Sequence, residues 1–363
     1  MIYIIIFLVL AVFAFIDLVS TPKKVKVIVG STLVLGLIII AGLRWEVGPD
    51  WDSYETFFND YELYRDGKYI NMLEPGYTML NGFIKMFSQR YTVFLFFIAV
   101  ITIGLKYLVF LRHAKILFVL MFFYYSYYLA DIASVRQFTA LSLTLLSSVF
   151  IVKRWPILFI LTVLLATSIH ISSVAFFAAY WLYHVKFTNR VLGISLLLAF
   201  VIGFLNISGL LLEKMINMLG PASIYAEKLL KYNESGVESS TGNAYFNFVL
   251  GAVKRAVIIP ALFYVKNRVA EEDRDVYRGY LNLLVMGNII YFLFIISFPE
   301  VTRLSVSYLY FEIFLLSFSV VSIKDLKLRL VVFGILIIFA AFRLYSFMSP
   351  FMAYYLPFKT ILS

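Results

Sequence analysis

Long apolar runs recur along this chain at 2–19, 25–42, 91–110, 115–130, 135–152, 156–183, 190–207, 245–265, 277–298, 304–322 and 328–348, separated by short polar joints. About 20 apolar residues carry a helix across a hydrocarbon layer ~30 Å thick. The runs are continuous rather than alternating, which argues against an outer-membrane barrel. The pattern predicts an all-α, polytopic integral membrane protein with about 11–12 membrane helices. A further short helix at 75–88 only dips into the membrane. The first run has no basic stretch before it and no small-x-small cleavage pattern, so it reads as a membrane helix rather than a cleaved leader. Residues 1–363 form a single membrane domain, with polar loops at 44–90 and 208–244 and no internal repeat.

Composition narrows the chemistry. The chain is 62% hydrophobic and only 14% charged, with a mean hydropathy of +0.91, outside the range of soluble domains. The net charge of +10 reflects lysines and arginines on cytoplasmic loops and is poor evidence for nucleic-acid binding. The chain has no cysteine, which excludes disulfides, iron–sulfur clusters and thiol catalysis. His113, His170 and His184 are too far apart for zinc-ligand spacing. No phosphate-binding glycine loop opens a helix. No cofactor and no metal are expected.

Basic joints set the expected orientation. Lys23, Lys24 and Lys26 put the first connection in the cytoplasm, so the 44–90 loop is external. That loop carries five basic side chains against eight acidic ones, a net charge of −3. Arg112 with Lys115, Lys153 with Arg154, the 266–278 joint and Lys324/Lys327/Arg329 then fall inside. The run 156–183 has basic residues at both ends and Ser168-Ile169-His170 in its middle. Two half-helices meeting near His170 and re-entering the cytoplasmic side satisfy both flanks, an arrangement tolerated where broken helices line a polar cavity. The 208–244 loop and the C-terminus then come out external.

The ionisable residues that are not cytoplasmic anchors fall toward the external half. They are Arg44 at the end of the second run, Arg136 just after Asp131, Arg255 within a run, Arg303 after Pro299-Glu300, and Arg343 near the end of the last run. A single one reads first as an interfacial or ion-paired residue; five on one side point to an anion. Arginine's rigid fork, which stays charged, suits a diphosphate. Arg136-Gln137 opens a run rich in Thr139, Ser142, Thr144, Ser147 and Ser148, a composition for close helix packing. His170, Asp50 and Glu74 are the candidate bases for a sugar hydroxyl. His170 reads equally well as a hydrogen-bonded residue steadying the helix break, and Glu74-Pro75-Gly76-Tyr77 as a helix start. Asp50-Trp51-Asp52 has the form of a metal-holding D-x-D, although two acids in a solvated loop are common. Trp51, Tyr54, Tyr77 and Gln137 are candidate sugar contacts; the bland reading of the rings, together with Trp45, Tyr61 and Tyr64, is an aromatic mini-core.

Arg44 followed by Val47-Gly48-Pro49-Asp50 and Tyr54 resembles the R-x-x-x-G-x-D-x-x-x-Y element of the EpsG family of bacterial polysaccharide polymerases. Glu74-Pro75-Gly76-Tyr77, Arg136-Gln137, Ile169-His170 and Arg303-Leu304 follow in the order of that family's later signatures. The resemblance covers about 40 to 310, and Asp52 is not part of the pattern. It implies a Wzy-type enzyme at the bacterial plasma (inner) membrane. Such a glycosyltransferase polymerises undecaprenyl-diphosphate-linked oligosaccharide repeats, with its active site facing the exterior or periplasm. Implied partners are those lipid-linked glycans, membrane lipids, a chain-length regulator and a flippase. Two alternatives stay open from the residues: a flippase or transporter of the same lipids, and a ligase-like glycan transferase.

Overall fold

A computed structural model of the chain describes residues 2–19, 21–65, 73–211, 214 and 244–362. The expected 208–244 loop lies almost wholly outside them, as do Asp66 and Lys68 and the side chain of Tyr64. Among the described residues all regular structure is helical, as the apolar runs require. The residues cluster into two units, Met1–Phe177 with Ile323–Ser363, and Ala178–Ser322.

The first unit opens with α1 (Ile2–Asp17) and α2 (Lys23–Gly42). The polar loop that follows holds three short helices, α3 (Trp51–Asn59), α4 (Tyr61–Arg65) and α5 (Pro75–Lys85). Next come α6 (Tyr91–Phe110), a 3-10 turn kinked at His113, and α7 (Leu117–Tyr127). After them stand the single turn α8 (Ala130–Ala133), α9 (Arg136–Val152) and α10 (Pro156–Ile169). In the second unit lie α11 (Ala179–His184), α12 (Asn189–Phe204), α13 (Ala244–Val265), α14 (Glu271–Phe294), α15 (Val306–Leu309) and α16 (Phe311–Val321). The chain then returns to the first unit as α17 (Leu326–Met348) and α18 (Met352–Tyr355).

Five stretches among the described residues are long and apolar enough to cross a membrane, beginning at Lys23, Tyr91, Ala244, Pro299 and Leu326. Four expected spans are shorter apolar helices: α1, α9, α10 and α12. The run 156–183 is not one helix. It breaks at His170, whose backbone is extended (φ −151°, ψ 118°), and continues as a 3-10 stretch. α13 and α17 bury little of their surface within the protein, the signature of helices facing lipid.

In the first unit α10 packs along α9, α2 along α6, α1 along α7, and α6 along α9. Lipid tails are as apolar as leucine, so such contacts need close packing and hydrogen bonds rather than apolar burial alone. The hydroxyls of α9 supply both. Thr139 Oγ1 lies 3.1 Å from Thr102 Oγ1 on α6, and Ser142 Oγ donates to the Thr102 carbonyl at 2.9 Å. Thr144, Ser147 and Ser148 turn back onto carbonyls of their own helix, which hides their polarity.

Two ion pairs are sealed inside this unit. Asp17 at the end of α1 pairs with Lys26 and accepts from the Phe118 N–H at 2.8 Å, so its charge caps the start of α7. Lys26 also donates to the Lys115 carbonyl at 3.1 Å. It is therefore an interior counter-ion, whereas Lys23 and Lys24 are exposed. The second pair, Lys106 on α6 with Asp131 on α8 at 2.6 Å, has both side chains fully enclosed. Lys106 Nζ also donates to the Phe138 carbonyl at 3.3 Å, spanning the joint between α8 and α9.

The second unit packs α12 and α16 on α14. Its small core gathers Ala199, Phe248 and Phe292. Asn282 on α14 donates to the Leu182 and Val185 carbonyls at 2.9 and 2.8 Å, tying the end of α11 to it.

Breaking a buried pair strands one charge and costs about 3–5 kcal/mol, whereas replacing both members with apolar side chains is often neutral. Asp131→Ala should therefore lower thermal stability in detergent sharply. Lys106→Met combined with Asp131→Leu should recover most of the loss. Equal melting of the single and double variants would show that the pair does not hold the α8–α9 joint.

Candidate functional site

The segment Glu74-Pro75-Gly76-Tyr77 builds one wall. Pro75 occupies the first turn of α5 and Glu74 precedes it in extended conformation (φ −68°, ψ 144°), so the carboxylate projects from the helix start. Gly76 sits against the end of α10. A Cβ there would overlap Ser168 Oγ and lie 2.7 Å from the Ser168 carbonyl oxygen. Only glycine lets the first turn of α5 seat so closely. Tyr77 is fully buried, edge-on to Tyr54 and Phe94.

The break in α10 faces that wall. Because His170 leaves the helix, the Ile171 N–H and the His170 ring both turn to Glu74. Glu74 Oε1 lies 3.1 Å from His170 Nδ1 and accepts from the Ile171 N–H at 3.1 Å. The other oxygen, Oε2, lies 3.1 Å from a terminal nitrogen of Arg136, an ion pair without hydrogen-bond alignment. The Glu74, His170 and Arg136 side chains are 17, 8 and 22% exposed, sheltered yet reachable. Burial pushes the Glu74 carboxyl up, but the His170 hydrogen bond, the Ile171 N–H and the Arg136 charge outweigh it and hold it down to about 2.

Arg136 is placed by a clasp on the turn before it. Arg44, 1% exposed, donates to the Ala41 carbonyl at 2.6 Å and the Ala133 carbonyl at 3.2 Å. Gly48 adopts φ +107°, and a Cβ there would press on Ala133. Thus the arginine and glycine of the R-x-x-x-G element both grip the end of α8, three residues before Arg136. The C-terminal segment closes the loop from the other side. Trp45 N–H donates to the Lys359 carbonyl at 3.0 Å and Gly48 N–H to that of Tyr354 at 2.9 Å, while Lys359 pairs with Glu46 at 2.5 Å.

The remaining candidates separate clearly. Trp51 and Tyr54 join Tyr77 in an aromatic core with Phe58, Tyr91 and Phe94, so these three rings face the interior and offer no stacking surface to a sugar. Gln137 is half-buried beside Arg136, and Asp50 and Asp52 are exposed. No group of three possible metal ligands gathers among the described residues. Arg44 is spent on backbone carbonyls. Arg343 stacks on the Tyr127 ring at 4.0 Å. In the second unit, Arg255 bonds Asn288, lies 3.7 Å from the Tyr291 ring, and lines an apolar cavity of about 600 Å³ between α12 and α13. Arg303 is exposed and pairs with Glu300 at 2.8 Å.

Sequence reasoning offered Glu74 and His170 as separate bases; the structure joins them. An ionised Glu74 can only accept, so Nδ1 is the donor to it and Nε2 is the ring nitrogen left for a further partner. That nitrogen has no hydrogen-bond partner among the described residues. Arg136 Nε is likewise unpartnered there. The arrangement therefore gathers an imidazole and a guanidinium on the two oxygens of one carboxylate. Lys106, which sequence reasoning passed over, was signalled by its lone charge in the 91–110 run.

Compared with known families, the chain matches the EpsG family over residues 27–360. That range contains every residue of the site. No curated protein and no solved structure gives a match.

Two measurements test this geometry. Gly76→Ala should displace α5 from α10 and abolish activity, while Gly36→Ala, where nothing lies within 4 Å, should not. The folded Glu74 value of about 2 lies below its ordinary 4.5, so its stabilising contribution is complete above pH 4.5 and lost as pH falls through about 2. The stability gap between wild type and Glu74→Gln should close across that window; a gap unchanged down to pH 2 would reject the carboxylate's role.

Proposed function

The chain belongs to the EpsG family, a family of polysaccharide polymerase-like membrane proteins, and from that premise we propose that it is a glycosyltransferase joining undecaprenyl-diphosphate-linked oligosaccharide repeats on the outer face of the plasma membrane. The observation that carries this reading is the Glu74–His170–Arg136 group, in which one carboxylate orients a base and a cation together.

In the proposed reaction His170 Nε2 takes the proton of the acceptor hydroxyl as its oxygen attacks the anomeric carbon of the donor. The bond from that carbon to the lipid diphosphate breaks, and its electron pair leaves with the diphosphate. Arg136 meets the charge that develops there. In the second unit, Arg303, exposed and paired with Glu300, is a separate cation we assign to a phosphate group. Diphosphate is stable as an anion, so no acid need protonate the leaving group. Glu74, held down to about 2, is too weak a base for a sugar hydroxyl near neutral pH. Its role is to hold the imidazole tautomer, as carboxylates do in other base pairs. Arg44 serves by positioning the α8 turn rather than by touching phosphate.

The test uses purified protein and lipid-linked repeats in detergent, where no membrane needs crossing. A polymerase makes dimers and longer chains; a flippase makes none, and a ligase moves glycan only to a different acceptor. Losing a general base or one charge-assisted contact typically costs about 10²–10³ in rate. His170→Ala and Arg136→Ala should each lower chain growth by that order without unfolding the protein. Arg303→Ala should weaken it too. Normal glycan ladders from His170→Ala and Arg136→Ala would reject the assignment.

A further inference from the structure

The two longer helices of the polar loop present opposite kinds of surface. On α3 the exposed side chains are Asp52, Ser53, Thr56 and Asn59, all polar. On α5 the exposed positions are Pro75, Met79 and Phe83, continued past its end by Met86 and Phe87, all apolar. Met79, Met86 and Phe87 are 73, 80 and 73% exposed. Tyr77, Asn81 and Ile84 fill the opposite face and are buried. At 3.6 residues per turn the exposed positions fall on one stripe. A loop helix standing in water on both sides has no physical reason to carry such a stripe.

The stripe is continuous with surface that must meet hydrocarbon. Phe83 contacts Phe97 on the membrane-spanning α6, with ring centroids 6.1 Å apart. Phe96, Phe97 and Val100 continue the exposed apolar surface along α6. At the far end Lys85 reaches away from the stripe, donating to the Asn59 carbonyl at 2.8 Å, while Gln89 and Arg90 are exposed. This is the layout of a helix lying in a membrane boundary, with its apolar face in the acyl layer and its polar ends in water.

We propose that α5 docks on the lipid surface itself, as an interfacial helix whose Met79–Phe83–Met86–Phe87 stripe enters the leaflet next to α6. Glu74 stands at the start of that helix, so docking fixes the Glu74–His170–Arg136 group at headgroup depth. α3 marks the aqueous side. The methionines suit a fluid, irregular contact, being flexible and polarisable. This inference stands on the membrane-embedded fold and does not depend on the reaction assigned above.

The absence of cysteine makes the test direct. Single cysteines at Met79, Phe83, Met86 and Phe87, and at Asp52, Thr56 and Asn59, are spin-labelled in the full chain. The protein is reconstituted in phosphatidylethanolamine–phosphatidylglycerol vesicles, and relaxation by oxygen is compared with that by a water-soluble nickel chelate. The α5 positions should favour oxygen several-fold over the α3 positions. Preference for the chelate at the α5 positions would place the stripe in water and overturn the proposal. Low access to both probes would mean that protein, a second copy included, covers the stripe, and would overturn it equally. Activity plays no part in this readout, so failure of the catalytic reading leaves it standing.

Discussion

The Glu74 carboxylate is the interaction on which the site depends. It gathers the imidazole of one helix end, the exposed N–H that follows it, and the guanidinium that opens another helix. Each is costly alone. An arginine at a helix N-terminus opposes the local dipole, and a broken helix leaves backbone groups unsatisfied in a membrane. One anion offsets both penalties. Removing it would leave an arginine facing the positive end of its own helix and an imidazole without an orienting partner.

The elements around the carboxylate serve its placement. Gly76 lets α5 approach α10, and Pro75 starts that helix directly after Glu74. Arg44 and Gly48 hold the α8 turn from one side, and Lys106 holds it from another through Asp131 and Phe138. The C-terminal segment bonds the same loop through Lys359 and Tyr354. Motif residues that look chemical in the sequence thus divide into two groups. Glu74, Arg136 and His170 face one another, whereas Arg44, Gly48, Gly76 and Tyr77 make that encounter possible.

This division explains what the sequence could reveal. Membrane spans follow from uninterrupted apolar runs, which need only composition to be seen, and the break near His170 follows from Ser168 and His170 interrupting an apolar run between two basic flanks. The encounter of Glu74 with a histidine 96 positions later has no local signal. The direction of the rings did have one. Trp51, Tyr54 and Phe58 recur at helical spacing with Asp52, Ser53, Glu55 and Thr56 among the residues between them, a stripe that forms a core rather than a sugar platform. Arg44 misled for a different reason: its motif specifies a backbone clasp, and an arginine's donors serve carbonyls as readily as phosphates. The boundary between the two units falls inside the 156–183 run, where both sides are equally apolar and composition is silent.

Depth is the last constraint. A diphosphate carried on a lipid stays near the headgroup layer, because moving its charge into hydrocarbon is prohibitive. A site acting on such a group must therefore be anchored at that level rather than merely exposed on one side. Hydrophobic spans alone do not ensure this, since a helix can tilt or shift along the membrane normal at modest cost. A helix lying in the boundary resists such movement: sinking buries its polar ends, and rising exposes its apolar stripe. With Glu74 immediately before α5, the carboxylate that gathers the site is joined to the helix we propose to lie in that boundary.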